Sequence, residues 1–320
     1  MNYTMLLWPH GNARYQVETE KMARAELEIM LTRLGVEYAL EENGENGLPA
    51  LCFAARPFAE TELRVISRHS LLYALFERRQ DGALLPLLCR EKACVGADLT
   101  GILKYKGKTN ELFTQFLVNL AWLSGPMPEK VCLLDPMCGR ATTLFVALNR
   151  GWDAFGSDVD RAALREAEQF LKRYLEYHRM KHAVERGSMT LREKKSAPYV
   201  QFSLPSGSLR LAELDVSRVS EAYGRGKFDL ICADLPYGVQ HGANMPLEKL
   251  LRLALPAWVE TLKRGAAVAI SFNAQTLPTR KVRAVFAGAG LHVREGGPYD
   301  RLSHWVEQAV TRDVVVGVRP

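Results

Sequence analysis

The first 80 residues alternate between the two-residue period of a strand and the three-to-four-residue spacing of a helix. The pattern predicts a strand at 3–8, a helix at 18–34, a hairpin at 36–54 and a second helix at 58–79. Together these elements predict a small α+β domain over residues 1–80.

The pattern changes after residue 80. Residues 81–100 mix apolar and turn residues, which predicts a connector. From residue 101 to 320, strands and helices alternate, which predicts a mostly parallel sheet with right-handed crossovers. Basic residues interrupt the alternation at 180–208, where a solvated insertion is favoured over a nucleic-acid contact. The main strands are predicted at 131–134, 154–157, 209–214, 228–233 and 266–272.

The strand at 228–233 runs directly into Asp234, Leu235, Pro236 and Tyr237. Open α/β sheets place their chemistry at the carboxyl ends of such strands. A carboxylate (Asp234) and a backbone carbonyl (Leu235) can each accept a hydrogen of an exocyclic amine on a nucleobase. Pro236 stiffens the turn, and Tyr237 offers a flat face for an unstacked base. The alternative is an ordinary surface turn, since Asp, Pro and Gly are common turn residues.

Three further acids follow predicted strands. Asp135 opens a tight loop, Asp158 comes 19 residues after Gly139, and Asp215 ends the third strand. Such a loop lets backbone amides approach a ligand, and an acid at the Asp158 position can accept both ribose hydroxyls of a cofactor. An acid leading into the loop disfavours a pyrophosphate and suits the ammonium of S-adenosylmethionine. Each acid alone could also be a helix cap.

Composition adds little to this picture. The net charge of +6 and the pI near 9.0 fit a polyanionic partner. His178 and His182 lie four residues apart without a third ligand, so no metal site is expected. The sequence also carries neither a membrane-length apolar run nor a signal peptide, which favours a cytoplasmic location. Six cysteines without CxxC spacing are expected to be reduced: Cys52, Cys89, Cys94, Cys132, Cys138 and Cys232.

Three segments, 133–144, 155–160 and 228–238, resemble S-adenosylmethionine-dependent methyltransferases that modify exocyclic amines of nucleobases. Their motifs read Asp-Pro-Met-Cys-Gly-Arg-Ala-Thr, Gly-Ser-Asp-Val-Asp and Asp-Leu-Pro-Tyr-Gly. The resemblance is greatest to the RNA guanine-N2 branch, which includes tRNA enzymes that carry a THUMP domain.

The resemblance implies a Rossmann-like class I methyltransferase domain over 101–320, preceded by a small ferredoxin-like domain. It implies transfer of a methyl group to RNA, most of all to guanine N2 of tRNA, with catalytic residues Asp234, Leu235, Pro236 and Tyr237. The implied cofactor-binding residues are Asp135, Met137, Cys138, Gly139, Thr142, Asp158, Val159, Asp215 and Asp234.

Two features depart from that family. Arg140 and Ala141 replace small residues of the cofactor loop, and Ala141 is a mild change only if its φ is negative. Residues 80–100 are too few for a THUMP domain. Two alternatives therefore stay open: an adenine-N6 methyltransferase on DNA or RNA, and a non-catalytic RNA-binding protein that keeps the fold.

Overall fold

A computed structural model describes residues 1–41, 47–103, 110–236 and 245–320. The chain forms two compact units. The smaller unit comprises Met1–Lys92 and Glu295–Asp313, and the larger comprises Ala93–Arg294 and Val314–Pro320. The predicted division at residues 80 and 100 stays a prediction, and these units differ from it in both their boundary and their C-terminal segment.

The smaller unit is built on a five-stranded antiparallel sheet in the order β2-β3-β1-β4-β5. The predicted helix at 58–79 is wrong, because the chain there forms one short helix followed by a strand of the sheet. The predicted connector also holds a strand. The elements are β1 (Asn2–Leu7), α1 (Ala13–Arg33), β2 (Tyr38–Leu40), β3 (Ala50–Ala55), α2 (Glu60–Ile66), β4 (Leu72–Arg78) and β5 (Leu84–Cys89).

A buried polar contact explains why α2 ends early. Glu26 of α1 is fully buried, and its carboxylate accepts the backbone N–H of Ser70 at 3.1 Å and the Ser70 hydroxyl. The ring of His69 accepts from Leu71 N–H through Nδ1, so its Nε2 donates to the carbonyl of Ala23 at 3.0 Å. These tertiary contacts take the backbone groups that a longer helix would use itself.

The larger unit alternates helices and strands. Its elements are α3 (Leu99–Ile102), α4 (Glu111–Ser124), β6 (Cys132–Asp135), α5 (Thr142–Asn149), β7 (Asp153–Asp158), α6 (Arg161–Tyr177), β8 (Ala183–Thr190), β9 (Ser196–Ser203), β10 (Ser208–Glu213), α7 (Val219–Tyr223), β11 (Phe228–Asp234), α8 (Leu247–Thr261), β12 (Leu262–Asn273), α9 (Thr279–Gly288) and β13 (His292–Arg294). Two last strands follow in the chain: β14 (His304–Glu307) belongs to the smaller unit, and β15 (Val310–Val318) runs from the smaller unit into the larger.

The sheet order is β13-β15-β12-β11-β6-β7-β10-β9-β8, with β14 beside β15. Strands β10, β7, β6, β11 and β12 pair in parallel, as the alternating pattern predicted. Their centres are buried on both faces, with Leu133, Ile231 and Val268 fully inaccessible. This continuous apolar run is what a parallel sheet covered by helices requires.

The predicted insertion at 180–208 forms two strands. β9 pairs antiparallel with β10, and β8 pairs antiparallel with β9 as the edge strand. Most side chains of β8 are exposed, so the segment is solvated as expected, but it is regular structure.

The segment 295–313 returns to the smaller unit. Arg301 pairs with Glu28 of α1 at 3.1 Å, and the backbone N–H of Trp305 donates to Glu18 at 2.9 Å. The guanidinium of Arg14 stacks over the Trp305 ring, 3.8 Å from its centre. β15 therefore begins in one unit and ends in the other.

Within the described residues, no helix has the length and apolarity to cross a membrane. The same residues contain no group of three or more His, Cys, Asp or Glu side chains placed to hold a metal ion.

Candidate active site

The register of the sheet brings the predicted acids to one edge. Asp135 pairs with Gly156, so Asp158 lies two residues further along β7. On the other side, Ile231 pairs with Leu134, so Asp234 lies two residues beyond Asp135 along β11. Two residues of strand span about 7 Å. Asp135 therefore lies below Asp158 and Asp234, which flank it on the two neighbouring strands, and we call the space above Asp135 between these two acids the cleft.

Asp135 is almost fully buried and accepts the backbone N–H of Met137 at 3.1 Å. Its pKa is raised to about 7, chiefly by burial and to a smaller extent by the nearby charges of Asp158 and Asp234. The bonds from Met137 and the Thr143 hydroxyl lower the pKa but do not offset burial. A cationic ligand beside Asp135 would favour the ionised carboxylate.

The loop after Asp135 is tied to the end of β7. Cys138 N–H donates to the Ser157 carbonyl at 3.0 Å, and Gly139 N–H donates to Asp158 Oδ2 at 2.8 Å. Thr142 then begins α5. Burial raises the pKa of the Cys138 thiol well above its ordinary value, so the thiol stays protonated.

Gly156 makes room for this loop. A Cβ at this position would lie 2.8 Å from Sγ of Cys138 and closer still to Leu144. A larger residue would push the loop away from the sheet. The sequence motif contained Gly156, but its steric role depends on packing that no local pattern describes.

Arg140 and Ala141, the two loop residues that depart from the resembled family, differ in how the structure accommodates them. Arg140 pairs with Glu166 on α6, so its charge is directed to that helix. Ala141 is fully buried at the start of α5 with φ 69° and ψ 25°. This left-handed conformation favours glycine. Ala141 would be a mild change only with a negative φ, so the change is not mild.

Asp158 remains open to a ligand. Its two oxygens accept Gly139 N–H and Asp160 N–H, and a carboxylate has about four lone-pair sites. The next residue, Val159, is 67% exposed beside it. An exposed valine next to a site acid provides an apolar surface for a flat ring.

Asp215 is an exposed cap. Its carboxylate accepts the backbone N–H of Ser217 at 2.8 Å and the Ser217 hydroxyl at 2.5 Å, at the start of a 3-10 turn over Val216–Arg218. These contacts are those of a helix cap, which was the alternative interpretation of this acid. Asp215 nevertheless lies at the same edge of the sheet as the other acids.

Asp234 has a partner that the sequence did not reveal. The Ser271 hydroxyl on β12 donates to Asp234 Oδ1, and Leu235 N–H donates to the Ser271 carbonyl at 2.9 Å. Leu235 is buried and Pro236 is half-buried, whereas Tyr237 lies outside the described residues. The sequence did carry one signal for this partner, because Ser271 is a polar residue inside the apolar run 266–272.

No protein-family model matches the sequence, and a search of curated proteins finds no match. Solved structures do match. One is a TehB-like S-adenosylmethionine-dependent methyltransferase from Corynebacterium glutamicum, with 18% identity, 60% of this chain and 82% of that chain covered, and a TM-score of 0.38. A second is magnesium protoporphyrin IX methyltransferase from Synechocystis with bound S-adenosylmethionine, with 15% identity, coverage of 71% and 93%, and a TM-score of 0.41.

A third is a ribosomal protein L11 methylase from Lactobacillus delbrueckii, with 15% identity, coverage of 65% and 80%, and a TM-score of 0.40. At these identities each likeness is one of fold. The sheet of the larger unit is mixed and doubly wound, with helices between its parallel strands, which is a Rossmann-like arrangement.

Proposed function

We propose that the protein is an S-adenosylmethionine-dependent methyltransferase that modifies an exocyclic amine of a nucleobase in RNA, with guanine N2 of tRNA as the leading target. The observation that carries the proposal is the placement of Asp234-Leu235-Pro236 at the carboxyl end of β11, beside the cleft of Asp135 and Asp158.

The residues of this edge fit the cofactor. Asp135 would accept from its ammonium and Asp158 from its ribose hydroxyls. Exposed Val159 offers an apolar surface for adenine, and Asp215 an acceptor for the adenine amine. A Cβ at Gly139 would meet nothing within 4 Å, which agrees with open space over the loop.

When bound, S-adenosylmethionine supplies an electrophilic methyl group, and its sulfur leaves as a neutral thioether with the electron pair of the broken bond. Asp234 and the Leu235 carbonyl accept the two hydrogens of the substrate amine and hold its nitrogen toward the methyl group. Ser271 fixes the Asp234 carboxylate by donating to it. After the N–C bond forms, Asp234 accepts the proton that the nitrogen loses. Orientation supplies most of the acceleration.

The distribution of charge supports RNA as the substrate. The larger unit has 29 Lys and Arg against 19 Asp and Glu, whereas the smaller unit has 13 against 17. The excess of basic residues therefore belongs to the unit that holds the candidate site, and RNA phosphates are complementary in charge to that unit. In the smaller unit, the order β4-β1-β3-β2 supports a ferredoxin-like domain, as the resemblance implied.

The test is transfer of labelled methyl to tRNA, rRNA and DNA in separate reactions, with Asp234→Ala and Asp234→Asn as variants. Both variants are expected to lose at least about a hundredfold in kcat, because Ala removes the acceptor that holds the amine, and the neutral Asn amide cannot take up the proton that the nitrogen loses. Cofactor affinity, measured by calorimetry, should change little. Glu176→Ala on the exposed face of α6 is the matched control. Full turnover by Asp234→Ala would disprove the proposal.

The digested product separates the alternatives. N2-methylguanosine would identify the leading target, and N6-methyladenosine would keep the mechanism and change the base. The left-handed Ala141 motivates the non-catalytic alternative, since strain in the loop opposes cofactor binding. Absence of both label and cofactor binding would favour an RNA-binding protein.

A further inference from the structure

The β8–β9 hairpin reaches the edge of the sheet that carries the acids. β9 runs antiparallel to β10, so the turn before β9 lies at the carboxyl ends of the parallel strands. Tyr199 pairs with Ala212, which places Ser196 level with Asp215. The hairpin tip, residues 192–195, extends beyond that level.

The turn at the tip has an unusual composition. Lys195 N–H donates to the Arg192 carbonyl at 3.3 Å, and the two central residues, Glu193 and Lys194, have φ of 60° and 57°. Two-residue hairpin turns of this type favour asparagine followed by glycine. Charged side chains therefore occupy positions at which the backbone conformation disfavours them.

The hairpin tip is net positive and exposed. Lys195 pairs with Glu193 at 3.3 Å, whereas Arg192 and Lys194 form no ion pair with any residue that the structure describes. The charge of Arg192 also acts on Glu221 and Glu260. Arg192 and Lys194 are nevertheless exposed, so an anionic ligand can reach both without displacing an ion-pair partner.

Neighbouring elements hold the tip in place. Arg192 N–H donates to Glu221 of α7 at 3.1 Å, and the Arg218 guanidinium donates to the Arg192 carbonyl at 3.2 Å. Leu191, just before the tip, is buried against the core that also contains Val216. The cations are thus presented from a supported turn beside the site.

We propose that the hairpin tip binds the sugar–phosphate backbone of the RNA substrate; this inference rests on the proposed function. Phosphate oxygens match the chemistry of Arg192, Lys194 and Lys195, and such contacts set the position of a nucleic acid without reading its sequence.

The sheet order gives the distance of this contact from the target base. Four to five strand spacings separate β11 from β9 and β8, which is about 19 to 24 Å. The tip therefore contacts phosphates several nucleotides away from the modified base.

The experiment compares two triple variants of the full chain. The tip variant carries Arg192→Gln, Lys194→Gln and Lys195→Gln. The matched control carries Arg173→Gln, Arg179→Gln and Lys181→Gln, which remove the same charge near the opposite edge of the sheet. Fluorescence anisotropy measures binding of labelled total tRNA over a salt series, calorimetry measures cofactor affinity, and methyl transfer is assayed separately.

The tip variant is expected to bind tRNA at least about tenfold more weakly at about 50 mM salt, with the salt slope reduced by about two. The control should stay within about twofold of the parent protein, and cofactor affinity should not change in either. Equal binding by the two variants would overturn the inference, as would a parent protein that binds polyglutamate as tightly as tRNA. Tip-dependent tRNA binding without methyl transfer would support the inference and overturn the proposed function.

Discussion

At the scale of single residues, Asp135 combines burial with a functional position. Its carboxyl lies between two other acids on the floor of the cleft, and burial raises its pKa from 3.8 to about 7. Such perturbed groups are common at functional sites, because the energy that burial costs is recovered when a ligand of opposite charge binds.

The raised pKa of Asp135 predicts the direction of a pH effect on stability. Between pH 4 and 7 the folded state holds a proton that the unfolded state has lost, so the free energy of unfolding falls as pH rises through this window. Asp135→Asn removes the titrating carboxyl, so the free energy of unfolding of this variant should fall less between pH 4 and 7. Urea unfolding of both proteins without cofactor, at pH 4.5 and about pH 7.5, measures it. A steeper decline in Asp135→Asn would contradict the assignment.

Ala141 predicts a stabilising substitution. Ala141→Gly removes the left-handed strain of an L-residue and should raise the free energy of unfolding by about 0.5 to 1 kcal/mol. The control is Ala147→Gly inside α5, which should lower it by about 1 kcal/mol or more. Thermal unfolding compares the two, and destabilisation by both would indicate that the methyl group of Ala141 outweighs its backbone strain.

At the scale of elements, strongly patterned segments were predictable and context-dependent ones were not. The parallel strands β6, β7, β10, β11 and β12 were predicted because each contains an apolar run between turns, whereas β8 and β9 were not. β8 was missed because an edge strand exposed on both sides has no apolar alternation. In the site, acids at strand ends were predictable, whereas the φ of Ala141 and the bond from Ser271 arise only from tertiary packing.

The contact between Glu26 and Ser70 follows the end of α2, and its removal has a predictable effect on stability. Glu26→Ala leaves the buried Ser70 N–H without its acceptor and should lower the free energy of unfolding by about 1 to 3 kcal/mol. Glu26→Gln keeps an acceptor and should cost less. Glu37→Ala, at an exposed position, is the control. A Glu26→Ala protein as stable as the control would show that Ser70 finds another partner.

At the scale of the whole molecule, the two units differ in charge as well as in fold. The excess of basic residues lies in the larger unit, together with the acids of the cleft and the hairpin tip. A net excess of basic residues in a unit whose cleft carries acids would let that one unit attract a polyanion and hold a cationic cofactor.

The return of residues 295–313 to the smaller unit affects how the protein is made. Ribosomes release the chain from its N-terminus, and domains usually fold as they emerge. Here α1 lacks its partners Arg301 and Trp305 until synthesis has passed residue 305. The smaller unit therefore begins before the larger unit but is completed only after residues 93–294 of the larger unit have been made, and no single cut in the gene separates one unit from the other.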